Sequence, residues 1–218
     1  MKKRYAFLVG LLFLLQLVNS CNNNSDKPAI SQSVDSKQEF SKIIPKDNSG
    51  KLNFSYRMTK DYTRQTRLNI IENGFDSIFI RLWYSYNADI QVVDLKKESG
   101  IWTAEFYAMK RVIERIGDTL RVIKMESIKK YPKSGWDFFI NRILSLGIMT
   151  LPDNSELPEF NLPSDATFVV VEIATTTKYR IYSYGMPMLF PEIKETKSME
   201  DIMVLIEEEF GVKRVEIF

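Results

Sequence analysis

Asp153, Glu156 and Glu159 put three carboxylates within seven residues, in a chain with no histidine and a single cysteine among its 218 residues. Carboxyl oxygens suit calcium, but the spacing meets no calcium-loop pattern, so this loop is read as solvated. The missing imidazole excludes Ser-His-Asp and Cys-His catalysis, histidine acid-base steps and zinc sites built on ring nitrogen. Hydrolysis of a glycosidic bond stays open, because it needs only two Asp or Glu side chains at a separation set by the fold. Linear spacing does not say which two. No catalytic residue, metal ligand or cofactor is therefore assigned.

Other chemistries have little to stand on. The nine glycines include no Gly-x-Gly pair, and the one Gly-Lys, at Gly50, is followed by leucine. Without a phosphate cradle, neither a nucleotide nor nucleic acid is expected as a partner. Ser127-x-x-Lys130 is similar to the nucleophile motif of penicillin-binding enzymes. It closes a predicted strand rather than opening a helix, and neither Ser-Asp-Asn nor Lys-Thr-Gly accompanies it.

Binding leaves a clearer trace. Alternation over residues 178–184 puts Arg180, Tyr182 and Tyr184 on one side of a predicted strand and Tyr179, Ile181 and Ser183 on the other. Tyr and Arg bring large area with a polar handle and dominate binding energy at interfaces. Arg180, Tyr182 and Tyr184, with Glu172, are the partner-binding candidates if that face is exposed. The competing reading has the tyrosines covering a sheet face or a helix while Arg180 pairs with Glu172.

The strand belongs to a predicted hairpin, Phe168–Thr175 with residues 178–184. A three-residue loop, Thr175 to Thr177, sets Glu172 against Arg180, Ile173 against Tyr179 and Val171 against Ile181. A two-residue loop sets Ile173 against Arg180. The first register groups apolar residues and opposes unlike charges, and is the one expected.

Further strands are read at residues 52–58, 77–84, 89–96, 101–109 and 119–128, with Asn73-Gly74, Ser99-Gly100 and Gly117-Asp118 as turn signals. Short connections favour antiparallel neighbours. Two helices are marked, one opening at Ser134 and Asp137 and stopping at Gly147, the other opening at Ser198 and Asp201 and stopping at Gly211. Their equal spacing raises the idea of a duplicated unit. The expected architecture is α+β, a mostly antiparallel sheet with two amphipathic helices packed on one face.

The N-terminus supplies an address. Lys2, Lys3 and Arg4 precede an uncharged, almost wholly apolar run over residues 5–15, the layout of a secretory signal. That run is too short to span a bilayer, which takes about 20 apolar residues in a helix. Leu17-Val18-Asn19-Ser20-Cys21 resembles the lipobox of bacterial lipoproteins, with Asn19 a mild departure. The resemblance covers about a tenth of the chain. It implies that Cys21 receives a diacylglyceryl group, that residues 1–20 are cut away and that the new amine is acylated. Two or more acyl chains hold a protein to a membrane stably.

The organisation expected is a signal peptide over residues 1–20, a polar tether over 21–51 and a single α+β domain over 52–218. Removing residues 1–20 leaves 27 Lys and Arg against 28 Asp and Glu, a formal charge of −1. No disulfide can form within the chain, so the fold rests on its core. The functional expectation is a lipoprotein of the cell envelope, held outside the cytoplasm at the outer membrane or the periplasmic face. It acts as a non-enzymatic binding or assembly module for a protein or a cell-wall ligand. The alternatives are an inhibitor or immunity-type lipoprotein that blocks a toxin or hydrolase, and a carboxylate-dependent glycan hydrolase.

Overall fold

A computed structural model describes residues 39–47, 49–86, 89–114, 119–158 and 166–212. Cys21, the expected signal peptide over residues 1–20, the Gly117-Asp118 turn signal and Glu159 lie outside these residues.

Seven strands form one sheet: β1 (Ser41–Ile43), β2 (Ile78–Tyr86), β3 (Asp89–Glu98), β4 (Ile101–Glu114), β5 (Thr119–Lys130), β6 (Phe168–Thr175) and β7 (Lys178–Gly185). Their spatial order is β1-β7-β6-β2-β3-β4-β5. The pairs β2–β3, β3–β4, β4–β5, β2–β6 and β6–β7 are antiparallel, while β1 runs parallel to β7. Three α-helices complete the α+β fold: α1 (Phe54–Thr66), α2 (Trp136–Ser145) and α3 (Lys194–Phe210).

The central strands are covered on both sides, which is why they read as near-continuous apolar runs. One cluster joins Ile80 and Leu82 of β2, Val171 of β6 and Tyr182 and Tyr184 of β7 to Phe139 and Ile143 of α2 and Ile202 and Ile206 of α3. The alternate residues of the same strands, Phe79, Trp83, Val170, Tyr179 and Ile181, form a second cluster with Tyr56 and Tyr62 of α1. A third helix joins this second set, so the expectation of two helices confined to one face does not hold.

That helix replaces the strand expected at residues 52–58. The Asn53 side chain accepts the Tyr56 backbone N–H at 2.9 Å, which caps the start. The buried positions Ser55, Tyr56, Thr59, Tyr62 and Thr63 then recur at helical spacing. Alternation among Leu52, Phe54, Tyr56 and Met58 was too short to outweigh a capped start. The sheet also begins earlier than expected, since β1 lies inside the segment read as a tether.

The helix starts differ as well. Gly135 and Ile193 occupy the N-cap positions without side-chain cap bonds, so neither Ser134 nor Ser198 caps a helix. α3 begins four residues before Ser198, and the helices run 10 and 17 residues, which removes the basis for a duplicated unit. Ser134 instead donates its N–H to Glu209 at 2.9 Å, tying the entry of α2 to the last turn of α3. Glu209 is buried there. Gly147 and Gly211 do carry the expected positive φ, 84° and 60°.

The hairpin register is the two-residue alternative: Ile173 lies opposite Arg180, Val171 opposite Tyr182 and Glu172 opposite Ile181. The expected register failed because both faces are buried and apolar, so matching apolar residues across the pair does not discriminate.

Candidate ligand-binding cavity

Arg180, Tyr182 and Tyr184 share a side of β7, as expected, but that side is internal: Tyr182 is 1% exposed and Tyr184 0%. The condition for a partner surface there is not met. The Tyr182 hydroxyl donates to the Ile148 carbonyl at 2.7 Å, and Arg180 donates to the carbonyls of Met149, at 2.6 Å, and Leu151. The Arg180 guanidinium also stacks over the Tyr182 ring, 4.9 Å from its centre. These residues clasp the chain that leaves α2.

Asp153 belongs to the same clasp. It is 1% exposed, and its carboxylate accepts the Ser155 N–H at 3.0 Å and the Ser183 N–H at 2.8 Å. Glu156 closes a capping box by accepting the Asp153 N–H at 3.0 Å. The acidic loop is therefore a structural fixture at Asp153, not a solvated one.

Glu172 points to the opposite face and has other partners. A row of side chains crosses the sheet in register: Glu172 of β6 lies opposite Arg81 of β2, Arg81 opposite Asp94 of β3, Asp94 opposite Glu105 of β4, and Glu105 opposite Lys129 of β5. Its inner members are buried, with Arg81 1%, Asp94 4% and Glu172 6% exposed. Arg81 grips Asp94 with two parallel bonds, Nε to Oδ1 at 2.6 Å and Nη2 to Oδ2 at 2.9 Å. Its Nη1 donates to the Asn69 carbonyl at 3.0 Å. Phe79 and Trp83, two residues to either side on the strand, offer ring faces with centres 5.2 and 5.7 Å from the guanidinium carbon.

Glu172 is held by two donors: Trp83 Nε1–H to Oε2 at 2.6 Å and the Tyr179 hydroxyl to Oε1 at 2.8 Å. One guanidinium thus serves two buried carboxyl groups, and Asp94 has the bidentate bonds. Burial pushes the Glu172 carboxyl up, against the pull of Arg81 and of its two hydrogen-bond donors. Burial and Glu172 together push the Tyr179 hydroxyl up, so it stays protonated and able to donate.

Arg81, Glu172 and Tyr179 also line a cavity of about 640 Å³ beside α1. Leu52, Tyr56, Leu68, Ile70 and Ile71 give it apolar wall, and Arg57, Lys60, Arg64 and Arg67 give it cations. Its volume falls within the roughly 300–1,000 Å³ typical of small-molecule sites. The other acids that line it are engaged: Glu72 by Lys42 at 3.1 Å and Lys60 at 3.4 Å, Asp61 by Arg64 at 2.5 Å and Gln65 at 2.7 Å. Among the described residues no cluster of acids or cysteine has the form of a metal site.

Sequence reasoning singled out Glu172 but gave it the wrong cation and missed Arg81 and the cavity. A signal was present, since Arg81 and Asp94 each interrupt an apolar strand, and a charge in such a place needs a partner. Ser127 lies exposed within β5, away from any helix start, which removes the Ser-x-x-Lys reading. Compared with known families, curated proteins and solved structures, the chain matches none.

Proposed function

We propose that the protein is an exported lipoprotein, held to a membrane through lipid on Cys21, whose folded part is a non-enzymatic binding module with its ligand site in the cavity beside α1. The anchor rests on the apolar leader and the lipobox-like run that ends at Cys21. The binding role rests on one observation: the buried carboxylate of the cavity already accepts hydrogen bonds on both oxygens. A hydrolytic acid or base needs an oxygen directed at its substrate. A cavity of this volume whose acids are all engaged is suited to hold a molecule rather than to cleave one.

The test is mass spectrometry of protein taken from its own envelope. The N-terminal peptide is expected to begin at Cys21 and to carry acyl groups. Spectra of the intact protein are expected to retain a small molecule that Thr63→Phe, which fills the cavity from α1, excludes. An intact Met1 with a free Cys21 thiol overturns the anchor. Turnover of a glycan that Glu172→Gln abolishes overturns the non-enzymatic reading.

A further inference from the structure

Building on the cavity as the ligand site, we infer that its ligand is a free, single-chain amphiphile with an anionic head, the head resting on α1 and the apolar chain running inward. Arg57, Lys60 and Arg64 follow one another along α1 at helical steps of three and four residues, which lines them up in one stripe, and Arg67 follows in the left-handed position that ends the helix. All four border the cavity. Asp61 holds Arg64 and Glu72 holds Lys60, while Arg57 and Arg67 form no salt bridge among the described residues. An anion at the mouth therefore meets cations in excess.

Behind the stripe the wall is apolar, formed by Leu68, Ile71 and the ring of Tyr56. Leu52 and Ile70, at the same cavity, keep 40% and 71% of their surface in solvent, apolar area that a ligand chain would cover. The inner end asks for no polar group, because Glu172 and Arg81 are satisfied by the protein. Basic mouth, greasy wall and saturated floor together select a head of negative charge and a tail without polarity. The cavity reaches side chains as deeply buried as Arg81, and a flat bilayer surface cannot follow it there.

The experiment uses the full chain in phosphatidylcholine nanodiscs, with empty discs subtracted, and 1-anilinonaphthalene-8-sulfonate as the fluorescent probe. Octyl phosphate and octanoate are expected to displace the probe at concentrations at least about tenfold below octanol and octyltrimethylammonium. The exposed pair R57E/R67E is expected to erase that preference while leaving the melting temperature unchanged. Equal displacement by all four compounds, or an unaltered preference in R57E/R67E, overturns the anionic assignment and leaves the cavity as a site. Failure of every compound to displace the probe overturns the cavity reading as well. Probe release only by discs that contain phosphatidylglycerol marks a membrane-surface contact and overturns the free amphiphile.

Discussion

Arg81 and Asp94 face each other directly across β2 and β3, and the guanidinium meets both carboxylate oxygens, at 2.6 and 2.9 Å. Because Glu172 flanks Arg81 on the other side, one cation compensates two buried acids. Removing one member of a buried ion pair leaves an uncompensated charge, which costs about 3–5 kcal/mol. Arg81→Met is expected to lower unfolding free energy by that amount in urea titration. The triple change Arg81→Met, Asp94→Leu and Glu172→Leu is expected to recover part of it, because Trp83 Nε1–H and the Tyr179 hydroxyl then lose their acceptor. A triple variant as unstable as the single one would show that packing, not charge, sets the loss.

The raised Glu172 carboxyl gives a pH dependence of known sign. The folded chain holds this proton more tightly than the unfolded chain, whose value is about 4.3. Its contribution is therefore fully present below that pH and is lost as pH rises through the folded value. Glu172→Gln has no such loss. Across that window its stability relative to the wild type should climb with pH and then level off, as followed by urea unfolding at successive pH values. A difference that falls with rising pH contradicts the assignment.

Tyr182 is a core residue whose hydroxyl donates to the Ile148 carbonyl. Truncating a buried aromatic side chain costs about 3–5 kcal/mol. Tyr182→Ala should depress the melting temperature strongly, and Tyr182→Phe, which loses only the hydrogen bond, should cost about 0.5–1.5 kcal/mol. Calorimetry that finds Tyr182→Ala as stable as the wild type would return this face to the surface.

Asp153 caps a turn and fixes β7 through Ser183, at 2.8 Å to the N–H and 3.1 Å to the hydroxyl. Loss of a cap alone costs roughly 0.5–2 kcal/mol. Asp153→Ala should exceed that range, because the Ser183 N–H is also left buried without a partner. Hydrogen exchange at Ser183 should speed up in the variant. An unchanged exchange rate there rules out the clasp.

Much of the fold could be read locally. Strands β2 to β7 fall within a few residues of where alternation and turn signals put them, and Gly147 and Gly211 end their helices as expected. Period and turn chemistry act over a few residues, so a short window carries them. α1 escaped because Leu52, Phe54, Tyr56 and Met58 mimic alternation across the Asn53 cap.

Composition and the first residues alone determined that these 218 residues hold no imidazole, that no disulfide can form within the chain and that an uncharged, mostly apolar run precedes its one thiol, Cys21. Only the tertiary structure decided which charges meet. Glu172 faces Arg81 rather than Arg180, because register is set by the packing of both sheet faces against helices, and a strand buried on both sides carries no local mark of its pairing. The cavity has the same origin: it exists because α1 stands beside Arg81, Glu172 and Tyr179, residues drawn from three different strands.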